Sequence, residues 1–537
     1  MKKFLLLLTV FTIATAASAQ WPTNTKEAVK VTETGQNDYG CQVAVTADGT
    51  TYVAKIVPER PGEAGRTMLS YRLYILDKNG VLKSPEDGIN VSTQPNRSWT
   101  AVNDFLYADR DGNAIVMCCD SRYDTSDSNK QSYTIYKISP EGETIWSVDL
   151  SGGETYELPV CINCVQDTDG NYIIAYCSMD YESSPSKVIV EKITKEAGES
   201  VWTHVFEHET RPYSYPHLVA SDDNNVIIFY AYTSNQYIYA QKLDKDGNEV
   251  WESDARIYRG GFDQIPIHTH IKTFDAPDEG AIFSWRDDRY NAGCFSSYLS
   301  YLKADGSYGF PGETDALKIC HDEDNSRRSA YVTWSEPHNC FYAVFQVYNQ
   351  AYQQWQGLYV QKISKDGELL WGDNGMDIEP LDQQNIYTVP VVKTDNEGNP
   401  VIFYMKSKEL NGYQPTDIQQ CAVKLDSKGY TLWEDMVNFD TYESYKTNLH
   451  VSDLIDNKYW IVTWADNRAG KMSDGSSNVY ATRLNVDGTI GDQELGISQI
   501  STSRPTSEEA IFDLTGRRVS NPAKGVYIIN GKKAVIK

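Results

Sequence analysis

The chain has 537 residues, 40% hydrophobic and 23% charged, with no low-complexity tract, which is the composition of a globular protein with a sizeable core. A formal net charge of −25 disfavours nucleic acid and anionic membrane surfaces as partners. The one long apolar run, Phe4–Ala14, is too short to cross a bilayer, so no membrane span is expected in the mature chain.

That run opens the chain order. Lys2 and Lys3 precede it, and Ala17-Ser18-Ala19 follow it as small residues suited to cleavage, so residues 1–19 read as a secretory signal peptide. No Cys follows the cleavage point, which argues against a lipid anchor and for a protein exported through the periplasm, then secreted or held at the cell surface.

Residues 20–500 carry a repeat. A basic or apolar residue, Ile or Leu, three mostly polar residues and Gly recur as K-I-S-P-E-G at 137–142, K-L-D-K-D-G at 242–247 and K-I-S-K-D-G at 362–367. The phrase returns as K-L-D-S-K-G at 424–429 and R-L-N-V-D-G at 483–488, with weaker copies ending at Gly80, Gly198 and Gly306. Successive glycines lie 49 to 62 residues apart, the period of a propeller or solenoid. The alternating run before each phrase is a half-buried strand, and the tetrad ending in Gly is a hairpin turn. A second hairpin lies upstream in each repeat, at 109–113, 167–171, 397–399 and, without glycine, 456–458. Two hairpins per repeat make four antiparallel strands, which is one propeller blade. The expected fold is all-β, a β-propeller of eight blades, or of seven with an irregular first unit.

Four residues after the glycine stand Trp146, Trp202, Trp251, Trp371 and Trp433, with Phe310 in a sixth copy and Ser84 and Asp492 in the first and last. A ring at a fixed offset reads as a repeated structural packing contact. The Asp-x-Asp-Gly-Asn turns at 109–113, 167–171 and 244–248 lack the Gly and Glu spacing of a calcium loop, and read as turn chemistry. Cys161-Ile-Asn-Cys164 has the spacing of half a zinc site without a second pair, and the ten cysteines follow no repeat, so neither a metal nor a cofactor is expected.

Three repeats share Asp-x-Arg at the end of the second strand: Asp120/Arg122, Asp287/Arg289 and Asp466/Arg468. The motif is similar to repeats of secreted bacterial propellers and invites comparison with sialidases, whose arginine cluster sits on a propeller. No nucleophile pair accompanies it here, so Asp–Arg pairing that fixes the adjoining loop is the first reading. If the chain is a hydrolase, Asp287, Arg289, Asp466 and Arg468 are its candidate catalytic residues. His217, His450 and Asn163 fall at equivalent first-strand positions and read as lining of a central channel. The loops between second and third strands are long in repeats one, two, six, seven and eight, and carry Tyr123, Tyr348, Tyr352, Trp355 and Tyr413. Exposed rings stack on sugars and peptides, so these five are the candidate ligand-binding residues.

A linker at 501–510 leads to 511–537, which reads as a small β tail with a basic last strand. Its D-L-T-G-R-R-V at 513–519 and K-G-V-Y-I-I-N-G-K-K at 524–533 resemble the type A C-terminal sorting tail of Bacteroidetes type IX secretion cargo, in a short form lacking the upstream strands. The resemblance implies passage through the outer membrane by the type IX machinery, with release or surface attachment. The function expected is binding of a glycan or protein partner by an exported propeller, without catalysis. The alternative is a sialidase-like or other glycoside hydrolase acting on extracellular glycans.

Overall fold

The computed structural model describes residues 21–492, apart from segments at 33–40, 62–66, 93–104, 121–131, 152–156, 181–185, 211, 233–236, 260–271, 289–292, 312–315, 350–354, 383–385, 412–413 and 469–476, together with parts of 511–536. Eight antiparallel sheets, each built on four consecutive strand positions, form an eight-bladed β-propeller. Blades 1 to 8 begin with the innermost strands Cys41–Val45, Phe105–Ala108, Glu157–Gln166, Tyr213–Ala220, Lys272–Ala276, Tyr331–Ser335, Ile386–Thr394 and Lys446–Val451. In blade 6 the short strand Asn325–Arg327 adds to the inner edge beside Tyr331–Ser335.

The alternative of seven blades is set aside. The first unit is a regular blade, with Cys41–Val45, Thr51–Pro61, Thr67–Leu76 and Ile89–Asn90 paired in order. The last blade takes its fourth strand from the other end of the chain. Val29 and Lys30 pair with Ala481 and Tyr480, so the N-terminal segment latches the ring shut.

The second strands are the most deeply buried, being covered on both faces by neighbouring blades, and they read as near-continuous apolar runs. Gly280–Asp287 and Tyr459–Asp466 are buried at every position. Apolar clusters bridge the blades, as where Phe229 of blade 4 stacks on Phe283 of blade 5 with centroids 5.0 Å apart. The C-terminal residues form a separate three-stranded sheet of Ile511–Phe512, Gly525–Ile529 and Lys532–Ile536.

The repeated phrase builds the seam between blades. The Lys that opens it and the Trp that follows it converge on one backbone carbonyl in the next blade's turn. Lys137 Nζ and Trp146 Nε1 both donate to the Lys195 carbonyl at 3.0 Å. Lys424 Nζ and Trp433 Nε1 both donate to that of Val486 at 3.2 Å. Lys192 with Trp202 and Lys242 with Trp251 repeat the pattern on Lys245 and Ala304. The same lysines pair with the aspartate opening their own blade's first turn, Lys192 with Asp167 and Lys424 with Asp395, each at 2.6 Å. The turn aspartates are thus occupied. Asp109 Oδ1 also accepts from the Asn113 amide at 2.6 Å, which is the turn chemistry expected of Asp-x-Asp-Gly-Asn.

Candidate functional site

An up-and-down blade sends its first and third turns to one face of the disc, and its second-to-third loops and inter-blade links to the other. The latch makes blades 6, 7, 8, 1 and 2 neighbours on that loop face. In blades 1 and 7 the extra length is itself strand, the hairpins Thr51–Pro61 with Thr67–Leu76 and Pro400–Asn411 with Gln414–Lys424.

Of the five candidate ligand-binding aromatics, Tyr348 and Trp355 are described, while Tyr123, Tyr352 and Tyr413 lie outside the described residues. Tyr348 and Trp355, both half-buried, flank the loop of blade 6, where the Asn349 amide donates to the Trp355 carbonyl at 2.9 Å. The Tyr348 ring is held between two arginines. Its hydroxyl accepts from Arg286 Nη1 of blade 5 at 3.2 Å, and the exposed Arg328 guanidinium lies 5.6 Å from its ring centroid. Arg286 packs on Phe295 at 4.7 Å, and burial, with Arg328 nearby, holds its pKa below the ordinary arginine range. These two arginines escaped sequence reasoning because their meeting joins residues more than 40 positions apart, on two blades. The Arg327-Arg328 doublet was the available signal.

The Asp-x-Arg motif splits. Arg122 and Arg289 lie outside the described residues. Asp466 and Arg468 form a buried network between blades 7 and 8. Arg468 donates to Asp466 Oδ2 through Nε at 2.8 Å and Nη2 at 2.6 Å, and to Asp440 Oδ2 at 2.7 Å. Its guanidinium also lies 4.5 Å from the ring of the exposed Tyr442 and 4.4 Å from that of Tyr480. Lys446 completes the cluster 3.3 Å from Asp440 Oδ1, both side chains being fully buried. The preceding indoles cap the motif, Trp464 Nε1 donating to Asp466 at 3.1 Å and Trp285 Nε1 to Asp287 at 2.9 Å. Asp287 and Asp466 stand on blades 5 and 8, separated by two blades, with their carboxylates committed to these contacts.

The repeat tryptophans stand in the blade seams: Trp251 and Trp433 are buried, while Trp146, Trp202 and Trp371 are half-buried. His217, His450 and Asn163 each follow a β-bulge on an innermost strand and so occupy one level of the ring. Asn163 Oδ1 accepts the Leu218 amide of the next blade at 3.2 Å. Burial lowers both histidine pKa values to about 4, so the rings are neutral at physiological pH. Cys164 is a buried thiol whose pKa burial raises, and the Cys161 side chain lies outside the described residues.

The class of protein defined here is an eight-bladed propeller whose loop face carries an arginine-flanked aromatic. No protein-family model matches the chain, and no curated protein matches it significantly. Among solved structures it is similar to an α-L-arabinanase of Penicillium chrysogenum complexed with arabinobiose, at 12% identity over 62% of this chain and 94% of that one, with a TM-score of 0.35. It is also similar to a protein of unknown function from Dyadobacter fermentans, at 9% identity over 61% and 94% with a TM-score of 0.31. Another of unknown function, from Bacteroides caccae, shows 12% identity over 52% and 90% with a TM-score of 0.27. Likeness at this level carries no argument about chemistry.

Proposed function

We propose that the protein is an exported propeller that binds a glycan or protein partner on its loop face and performs no catalysis. The observation that supports this best is Tyr348 between Arg286 and Arg328. An aromatic face edged by guanidinium groups offers stacking and charge-assisted hydrogen bonds together, the combination that recognises a sugar or peptide carrying acidic groups. By contrast, the Asp, Lys and Arg residues of the repeat and of the Asp466 network are occupied in blade seams. Residues 1–19 act as the signal peptide, 20–500 form the propeller, 501–510 the linker, and 511–537 direct the chain to the type IX machinery, leaving it secreted or on the cell surface. This last part rests on sequence resemblance.

The test is a broad glycan array probed with residues 20–507 while the printed glycans are monitored for cleavage. Binding without cleavage, weakened at least tenfold by Tyr348→Ala and by Arg328→Ala, supports the proposal. Cleavage revives the hydrolase alternative, and silence on both counts moves the ligand to the protein class. Deleting 511–537 in a type IX-competent host should leave the protein in the periplasm; unchanged export would remove the sorting role.

A further inference from the structure

The end of the channel away from the loop face holds a cavity of about 470 Å³. Four neighbouring blades line it, with Lys393 from blade 7, His450 and Asp453 from blade 8, Thr46 from blade 1, and Tyr107 and Arg110 from blade 2. Thr46, Arg110 and Asp453 stand just past the ends of their innermost strands, where the first turns begin, so the cavity sits at the first-turn end of the channel. Its volume lies within the range of small-molecule sites, about 300–1,000 Å³.

The charges of this lining are unevenly matched. Asp109 is committed to the protein, since the Tyr172 hydroxyl donates to it at 2.7 Å and Lys137 Nζ lies 3.4 Å away. Lys393 and Asp453 pair between blades 7 and 8 at 2.8 Å. The Asp453 side chain is 97% accessible and that of Lys393 only 19%, so the carboxylate faces open space with acceptor capacity to spare. Arg110 is the remaining cation of the lining; it is exposed, and its guanidinium makes no hydrogen bond or ion pair among the described residues. His450 adds a neutral ring whose Nδ1 is buried without a hydrogen-bond partner. A buried polar atom in that condition is ordinarily satisfied by water or a ligand in the adjoining space. Tyr107, half-buried, adds an aromatic ring to the wall.

We propose that this end of the channel binds a hydroxylated carboxylic acid of monosaccharide size, of the uronic acid class. The unmatched Arg110 guanidinium takes the ligand carboxylate through its planar fork of donors. Asp453 accepts ligand hydroxyls while it stays paired with Lys393. The Tyr107 ring offers an apolar face to the C–H side of the sugar. A neutral sugar leaves Arg110 without a counter-charge, and a simple carboxylate leaves Asp453 and most of the volume unused, so each binds more weakly than a molecule carrying both groups. The site lies at the other end of the channel from the loop-face aromatics and does not depend on them.

The experiment is isothermal titration calorimetry at pH 7 and low salt, with glucuronate and galacturonate as probes and glucose and acetate as controls, on the purified chain and on its Tyr348→Ala variant. Saturable binding of at least one uronate is expected in both proteins, at least tenfold tighter than either control. Arg110→Gln and Asp453→Asn should each weaken it at least tenfold, with circular dichroism and melting profile retained because both side chains are exposed. Absence of saturable heat with both uronates at millimolar concentration overturns the proposal. Glucose or acetate binding as tightly as the uronates overturns the ligand class without needing a variant, and binding that survives either substitution overturns the assignment to this cavity. Heat that disappears in Tyr348→Ala belongs to the loop face; it overturns the channel site and leaves the loop-face reading standing.

Discussion

Trp202 of blade 3 lies against Gly247 of blade 4: a Cβ built on that glycine would stand 2.7 Å from the indole ring. The same glycine has φ +85°, a left-handed conformation that closes its hairpin turn. One residue thus meets two demands, positive φ and room for the neighbour's ring. Gly247→Val should destabilise the chain by about 2–4 kcal/mol through backbone strain and displacement of the ring. Urea unfolding would check this, and a midpoint equal to wild type would show that the seam tolerates the added bulk.

The ring closure makes a second prediction. Trp21 Nε1 donates to the Lys78 carbonyl at 3.0 Å, and Asp492 Oδ2 accepts the Trp21 amide at 2.9 Å. Trp21 thus does for the seam between blades 8 and 1 what the repeat tryptophans do elsewhere. Trp21→Ala should cost about 3–5 kcal/mol, the range for removing a buried Trp. The loss should be read as a lower melting temperature with earlier proteolysis of blades 1 and 8. Proteolysis starting in the middle blades instead would locate the weak seam elsewhere.

The buried cluster of Asp440, Lys446, Asp466 and Arg468 balances two carboxylates with two cations. Arg468→Gln leaves a carboxylate uncompensated and should cost about 3–5 kcal/mol. Arg468→Lys should rescue little, since one ammonium cannot reproduce contacts to Asp466 and Asp440 made from separate guanidinium nitrogens. Equilibrium unfolding of both variants decides it; full rescue by lysine would reduce the cluster to simple charge balance.

The channel histidines set a pH dependence. Their folded pKa values of about 4 lie below the ordinary 6.5, so the folded chain binds fewer protons than the unfolded chain between these values. Their contribution is complete above pH 6.5 and is lost as pH falls towards 4. At about 1.4 kcal/mol per unit, each histidine contributes up to about 3 kcal/mol, less where channel water screens it. Stability measured across this window should fall with acid, and His217→Gln with His450→Gln should flatten the slope. An unchanged slope would assign the acid sensitivity to carboxylates.

The blade count and the seam residues were legible because each repeats at a fixed offset from a turn glycine, and turn chemistry is local. Asp492 shows where that ran out. In sequence it is a missing tryptophan; in the fold it holds Trp21, 471 positions away. The loop-face aromatics could be named from loop length, but neither arginine beside Tyr348 could, since their approach depends on how blades 5 and 6 pack.

By itself the sequence determined the all-β class, the four-stranded unit and the presence of one repeated ring contact, because hairpin turns are local and the ring recurs at a fixed offset from the turn glycine. Only the tertiary structure decided how the ring closes, with Asp492 holding Trp21, and which charges meet at Asp440 and Arg468. Closing eight units into a ring brings one position from every blade to a shared axis, so the meeting of non-adjacent blades there follows from the geometry of the ring, not from any local pattern.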